Sequence, residues 1–448
     1  MIDYNLILAV CIGIGILLFL ILRLKIQAFI ALLIASIMVG VIAGMDPETI
    51  IKTMQEGMAS TLGFVAMVVG LGAMFGAILE YSGGAEALAN YLLKKFGEKN
   101  ASWALVISGF FIAIPVFFDV AFIILVPLVY SLQRKTKQSI LLYAIPLLAG
   151  LAITHAYIPP TPGPVAVADI LKADLGWVIL FGFITGIPTA ILSGPVFAKY
   201  ISKKIHIGAP EINLAKQDDT NYPGVSLIIS IIGIPILLIV GNTVLNSPLF
   251  PEGTIPSQLK SWLKMIGHPF TALIIANVVA WYTLGVKRGV QKETLLKITT
   301  KSMEAAGIII LLTGAGGVFK QMLINTGTGE MLANYFANKG ISILLFAFVA
   351  AAIVRILQGS ATVAMITSAG ITAPLLSTDI SDINKALLVI AIASGASILS
   401  HVNDSGFWLV SKYLGINEKQ TFRSWTVMTT IIAVVGFISV FMCSLVFG

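Results

Sequence analysis

Two short blocks of this chain recur almost word for word 244 positions apart. Gly-Leu-Gly-Ala-Met-Phe at 70–75 and Glu-Ala-Leu-Ala-Asn-Tyr at 86–91 return as Gly-Ala-Gly-Gly-Val-Phe at 314–319 and Glu-Met-Leu-Ala-Asn-Tyr at 330–335. A chain that carries a copy of itself is built from two related units, and composition says in which solvent. Apolar residues make up 57% of the 448 and charged residues only 11%, where a soluble domain carries roughly 25% charged. The expected fold class is an all-α polytopic membrane protein: two inverted repeats, about ten membrane-crossing helices of ~20 residues each, two re-entrant hairpins and two broken helices.

The net charge of +7 does not point to nucleic acid, because Lys and Arg sit mainly in loops beside apolar spans, as the positive-inside rule expects. Cys11 and Cys443 fall in apolar spans near opposite ends and lack the spacing of a disulfide framework or metal site. Residues 1–5 lack a basic stretch or cleavage pattern, so the first apolar run reads as a retained span and not a signal peptide. The pattern implies no cofactor, no metal and no appended soluble catalytic domain.

Crossings are expected at 5–22, 27–44, 60–80, 139–168, 177–199, 224–245, 269–285, 303–323, 386–411 and 425–447. Two further apolar stretches, 101–132 and 341–376, are too long for one crossing and too short for two. Lys94, Lys95 and Lys99 precede the first and Arg134, Lys135 and Lys137 follow it, which puts both flanks on the cytoplasmic side. That stretch therefore enters and leaves on one face. Irregular backbone at membrane depth is tolerated where it is buried in protein or lines a watery cavity. The basic clusters at 199–216, 287–301 and 412–423 also fall inside, while the loop with Thr378, Asp379 and Asp382 lacks basic excess. The parity runs 60–80 inward and its copy 303–323 outward, so the copies are inverted. The organisation is a first repeat at 1–205 (hairpin 101–132, broken helix 139–168), a cytoplasmic linker at 206–223 and a second repeat at 224–448 (hairpin 341–376, broken helix 386–411).

The polar residues inside these spans fall at matched places. Asp119 at the first hairpin tip corresponds to Thr362 at the second, and Gly150 with His155 corresponds to Gly395 with His401. Four prolines within 159–164 forbid a continuous helix, since each lacks a backbone donor and clashes with the preceding turn. Unwound segments expose helix N-termini that favour an anion and C-terminal ends that favour a cation; the plainer reading is a proline kink sealed by hydroxyls. Arg355, about fourteen residues into the second hairpin stretch, is the deepest cation in any span and is costly there unless paired. Its planar fork suits a carboxylate ligand, or a structural pair with Asp119 or Asp404. Asp119 stands among apolar and aromatic neighbours, where burial penalises a bare charge, and Asp119, Asp404, His155 and His401 compete as proton carriers. Ser360, Thr362, Thr154, Thr161, Asn403 and Ser405 are suited to hydroxyls or a carboxylate near the breaks.

Three of these stretches, Thr-His-Ala-Tyr-Ile-Pro-Pro-Thr-Pro-Gly-Pro at 154–164, Gly-Ser-Ala-Thr-Val-Ala at 359–364 and Ser-His-Val-Asn-Asp-Ser-Gly-Phe-Trp at 400–408, resemble the gluconate permease (GntP) family of the ion transporter superfamily. The likeness covers essentially the whole chain. It implies a secondary active transporter in the bacterial inner membrane that imports gluconate or a related small hydroxy-carboxylate by proton symport. Related folds pair through scaffold helices, so a homodimer is an admissible assembly. The chain departs from the family at Asp119, where members tend to have Glu, and at Thr161, where many have His. Arg355, Ser360, Thr362, Thr154, His155, Thr161, His401, Asn403 and Ser405 become candidates for an organic acid anion, and Asp119 and Asp404 for the proton. The rivals are a sodium-coupled carboxylate carrier or a D-serine, 3-hydroxybutyrate or glycerate carrier of the same fold, an ion/proton antiporter, a channel, and an intramembrane enzyme. The enzyme lacks any His-Glu-x-x-His or Gly-x-Gly-Asp pattern.

Overall fold

A bilayer offers no water to backbone N–H and C=O groups, so a chain of this composition must satisfy them within helices. The structure, a computed structural model, describes residues 4–210, 222–246, 256–327, 342–376, 380–402 and 404–447, all helix and connections with no strand among them. Seven helical segments there are long and apolar enough to cross a membrane: Pro47–Tyr81, Leu141–Leu171, Leu175–Lys204, Val225–Leu245, Pro269–Arg288, Lys292–Asn325 and Glu418–Phe447. The expected crossing at 27–44 is the 15-residue helix Ala28–Ile42, short of the ~20 residues that a straight crossing needs. The second copy of the repeated block at 330–335 and the loop residues Thr378 and Asp379 lie outside the described residues.

The two helices carrying the repeated glycines are longer than the apolar windows at 60–80 and 303–323. Pro47–Tyr81 begins thirteen residues early because Asp46 caps it, its carboxylate accepting the Thr49 N–H at 2.9 Å, with Pro47 at the first helical position. The helix partner Lys292–Asn325 packs along it, and Gly57 is a point of close approach: a Cβ there would lie 2.7 Å from the Val318 Cα and 2.8 Å from the Gly317 carbonyl oxygen.

Twice, two helices joined at a short turn, written below as the two arms of a hairpin, are followed by a broken helix. In the first set, the arms Ala101–Ile112 and Phe118–Thr136 precede the half-helices Leu141–Tyr157 and Pro162–Leu171. In the second, Ile343–Gln358 and Ala361–Thr372 precede Asp382–Gly395 and Ser405–Leu414. The breaks follow from named residues. Ile158 turns extended ahead of the prolines, Gly359 takes φ +89°, and the helix that ends at Gly395 is followed by a second one that Asp404 caps.

Both sets close in the same way, with a glycine of the broken helix against the backbone of the hairpin's first arm. A Cβ on Gly150 would meet the Val106 carbonyl oxygen at 2.3 Å and the Phe110 nitrogen at 2.7 Å, and one on Gly395 the Phe348 carbonyl oxygen at 2.2 Å. Small residues at such crossings are how helices pack in lipid, where dispersion contacts replace the hydrophobic drive. The repeated block serves a similar purpose: Gly72 lies against Pro160 of the first broken helix, and Gly316 against Ile366 of the second hairpin. Tyr157 then ties the two sets together, its hydroxyl 2.8 Å from Ser394 Oγ and donating to the Ile432 carbonyl at 3.2 Å.

Replacing Gly150 or Gly395 with Leu forces backbone apart, so each variant should lose more than ~3 kcal/mol, the upper end of ordinary overpacking. Gly63→Ala, where a Cβ would meet nothing within 4 Å, should shift stability by less than about 1 kcal/mol, in the favourable direction. Thermal unfolding of the detergent-purified proteins reads both.

Candidate functional site

Three half-helices begin at one cavity. Phe118 and Asp119 open the second arm of the first hairpin, Ser360, Ala361 and Thr362 open that of the second, and Asp404, Ser405 and Gly406 open the second half of the second broken helix. All line a cavity of about 620 Å³. The C-terminal turns of two others, with His155 and Ala156 and with Arg355 and Gln358, complete the wall. Three converging N-termini place partial positive charge and unsatisfied N–H groups at one point, the arrangement that favours an anion.

Arg355 supplies the full charge. It is 5% exposed, and its Nη2 donates to Asp404 Oδ2 at 2.5 Å, while among the described residues nothing accepts from Nε or Nη1, both of them buried. A buried donor left unmade costs about 1–3 kcal/mol, more on a charged group, so two such atoms on a side chain that lines the cavity leave its guanidinium short of acceptors. Asp404 is held from several sides. Its Oδ2 also accepts the Ser400 hydroxyl, and its Oδ1 accepts the Gly406 N–H at 3.0 Å. Ser400 is in turn fixed by the Trp425 indole N–H at 2.5 Å and by its own N–H to Thr429 Oγ1 at 3.2 Å. Trp425 reaches it because the last long helix opens with a π-turn at Phe422–Thr426, a local widening common at functional sites.

The other acid differs. Asp119 stands exposed on the cavity wall, and no hydrogen bond or ion pair to it occurs among the described residues. One carboxylate is therefore locked into the guanidinium and the other is open to the cavity.

Of the residues singled out from sequence, Arg355, Ser360, Thr362, His155, Ser405, Asp119 and Asp404 meet at the cavity. Three others stand behind it. Thr154 is fully buried with an unpartnered hydroxyl, Thr161 donates to the Ile158 carbonyl at 2.7 Å, and His401 Nε2 lies 2.8 Å from the Ile356 carbonyl oxygen. Thr161 thus closes its own turn, and His401 joins the second broken helix to the second hairpin. Asn403 lies outside the described residues. Four polar lining residues were not anticipated: Gln358, Ser397, Trp425 and Thr429. Gln358 directly precedes the Gly-Ser-Ala-Thr stretch and was legible there. Trp425 and Thr429 sit in an apolar terminal helix and carry no local signal.

The profile of the GntP family permeases matches residues 5–446. A gluconate permease of Pseudomonas aeruginosa is 40% identical over 432 residues, covering 95% of each chain. The inner membrane permease YgbN of Escherichia coli K12 is 40% identical over 441 residues, again 95% of each. The crystal structure of the Alcanivorax borkumensis YdaH transporter aligns over 89% of each chain with a TM-score of 0.61 and 12% identity, a likeness of fold alone.

Arg355→Met or Asp404→Leu strands one member of a buried pair, so each should lower stability by about 3 kcal/mol. The double variant should regain most of that, less about 1 kcal/mol for the helix cap that Asp404 also provides. Thermal unfolding of the four proteins gives the coupling, and additive losses would show that the pair contributes nothing.

Proposed function

The chain belongs to the GntP permease family, and from that membership we propose that it is a secondary active transporter of the bacterial inner membrane, importing gluconate or a related small hydroxy-carboxylate by proton symport. The observation that carries the proposal is the buried Arg355 fork, with Nε and Nη1 unpartnered beside a cavity where three helix N-termini meet. The gluconate permease from Pseudomonas aeruginosa gives the substrate class and the Escherichia coli inner membrane permease the location.

In this reading the substrate carboxylate takes the free guanidinium donors of Arg355 and the N–H groups that open the half-helix at Ala361. Thr362, Ser405 and His155 meet its hydroxyls. Charge decides the coupling. Arg355 and Asp404 cancel, so a monoanion entering beside an ionised Asp119 would put two uncompensated negative charges in one low-dielectric site. A proton on Asp119 removes one of them, which makes proton and anion favourable as a pair and transport electroneutral at 1:1. The two hairpin-and-broken-helix sets form the moving part as inverted repeats, and access alternates as they shift against Pro47–Tyr81 and Lys292–Asn325.

Purified protein in sodium-free liposomes should accumulate labelled gluconate when the outside is made acidic, and a requirement for sodium would replace the proton in this scheme. Arg355→Lys, which keeps the charge and loses the fork, should raise KM by about ten- to a hundredfold. Asp119→Asn should abolish accumulation driven by a pH gradient yet retain exchange between internal and external substrate; wild-type accumulation by this variant would remove Asp119 from the coupling.

A further inference from the structure

Gln358 ends the helix that carries Arg355, and the two are three residues apart, hence on one face. Its Oε1 accepts the Ser360 backbone N–H at 2.7 Å. A backbone N–H can only donate, so this bond fixes which end of the amide is which: the carbonyl turns back onto the chain and the NH2 group is left over. The geometry depends on Gly359, whose φ of +89° doubles the chain back under the side chain before it. The helix end is also held, by the Gly359 N–H on the Arg355 carbonyl at 2.9 Å and by His401 on the Ile356 carbonyl at 2.8 Å. Gln358 therefore presents a positioned, neutral donor on the wall of the Arg355 cavity, and among the described residues nothing accepts from it.

A guanidinium with a neutral donor one turn away matches a carboxylate with an uncharged oxygen on the adjacent carbon. A second carboxylate would call for a second cation, which Gln358 is not. A methylene in place of the hydroxyl would leave the amide unpartnered in the closed site, the case in which polar sites reject an analogue most strongly.

We propose that Gln358 is a specificity-determining residue that reads the oxygen on C2, so that the transporter prefers 2-hydroxy monocarboxylates to their 2-deoxy counterparts. The assignment rests on the carboxylate reading of Arg355. Gln358→Leu is the discriminating variant, since its side chain can neither donate to nor accept from the C2 oxygen. Gln358→Glu is the companion: it keeps an acceptor for the Ser360 N–H, and its carboxylate can still accept from the C2 O–H, so it should keep a preference for gluconate where Gln358→Leu loses it.

The measurement is the KM ratio of D-gluconate and 2-deoxy-D-gluconate in proteoliposome uptake, or their ratio of ligand-induced thermal stabilisation in detergent where a variant transports too slowly. Wild type should favour gluconate by about tenfold, and Gln358→Leu should bring the ratio near one. If wild type takes both equally, or if Gln358→Leu keeps the tenfold preference, the C2 assignment is overturned while the carboxylate site stands. If wild type binds neither acid, the carboxylate site itself has failed, and Gln358 with it.

Discussion

Lipid cannot satisfy a freed backbone group, and among the described residues this chain leaves the helical path four times within its apolar stretches. Each departure has to be enclosed by protein, and much of the architecture follows from that need. The prolines after Ile158 lie against Gly72, the Pro115 turn against Gly76, and the segment after Gly395 is held by Thr426, Thr429 and Trp425 through the backbone and side chain of Ser400. What enclosure does not cover opens on the cavity, and in the proposed function those uncovered groups hold the anion.

The same constraint explains why the site residues fall into two kinds. Side chains at the starts of half-helices, such as Asp119, Ser360, Thr362 and Ser405, reach the cavity because the N-terminus itself points into it. Side chains within or just outside the breaks, such as Thr161 and His401, are used up in closing the backbone around them. Polar residue type alone does not distinguish these uses; position relative to the helix end does.

Much of this was legible in the sequence, and for physical reasons. Helix content and the hairpin-and-break order follow from apolar run length, prolines and glycines, all local signals, and the four breaks fall where those residues stand. Arg355 was conspicuous because a deep cation is costly, although only coordinates could choose Asp404 over Asp119 as its partner. The extra turns at Pro47 and Lys292 were hidden, because a polar helix projecting from the membrane leaves no trace in hydropathy. Trp425 was hidden for another reason: its hydrogen bond to Ser400 spans 25 residues and depends on a π-turn that no composition announces.

The grip of Asp404 on Arg355 also bears on the journey a carrier makes with nothing aboard. A bare guanidinium would resist passage through a low-dielectric barrier, since moving an isolated charge there is prohibitive. Here the cation already wears a carboxylate of its own chain, so under the proposed carrier scheme the empty site would move without a bare cation. At the guanidinium the protein would then stand in for its own cargo.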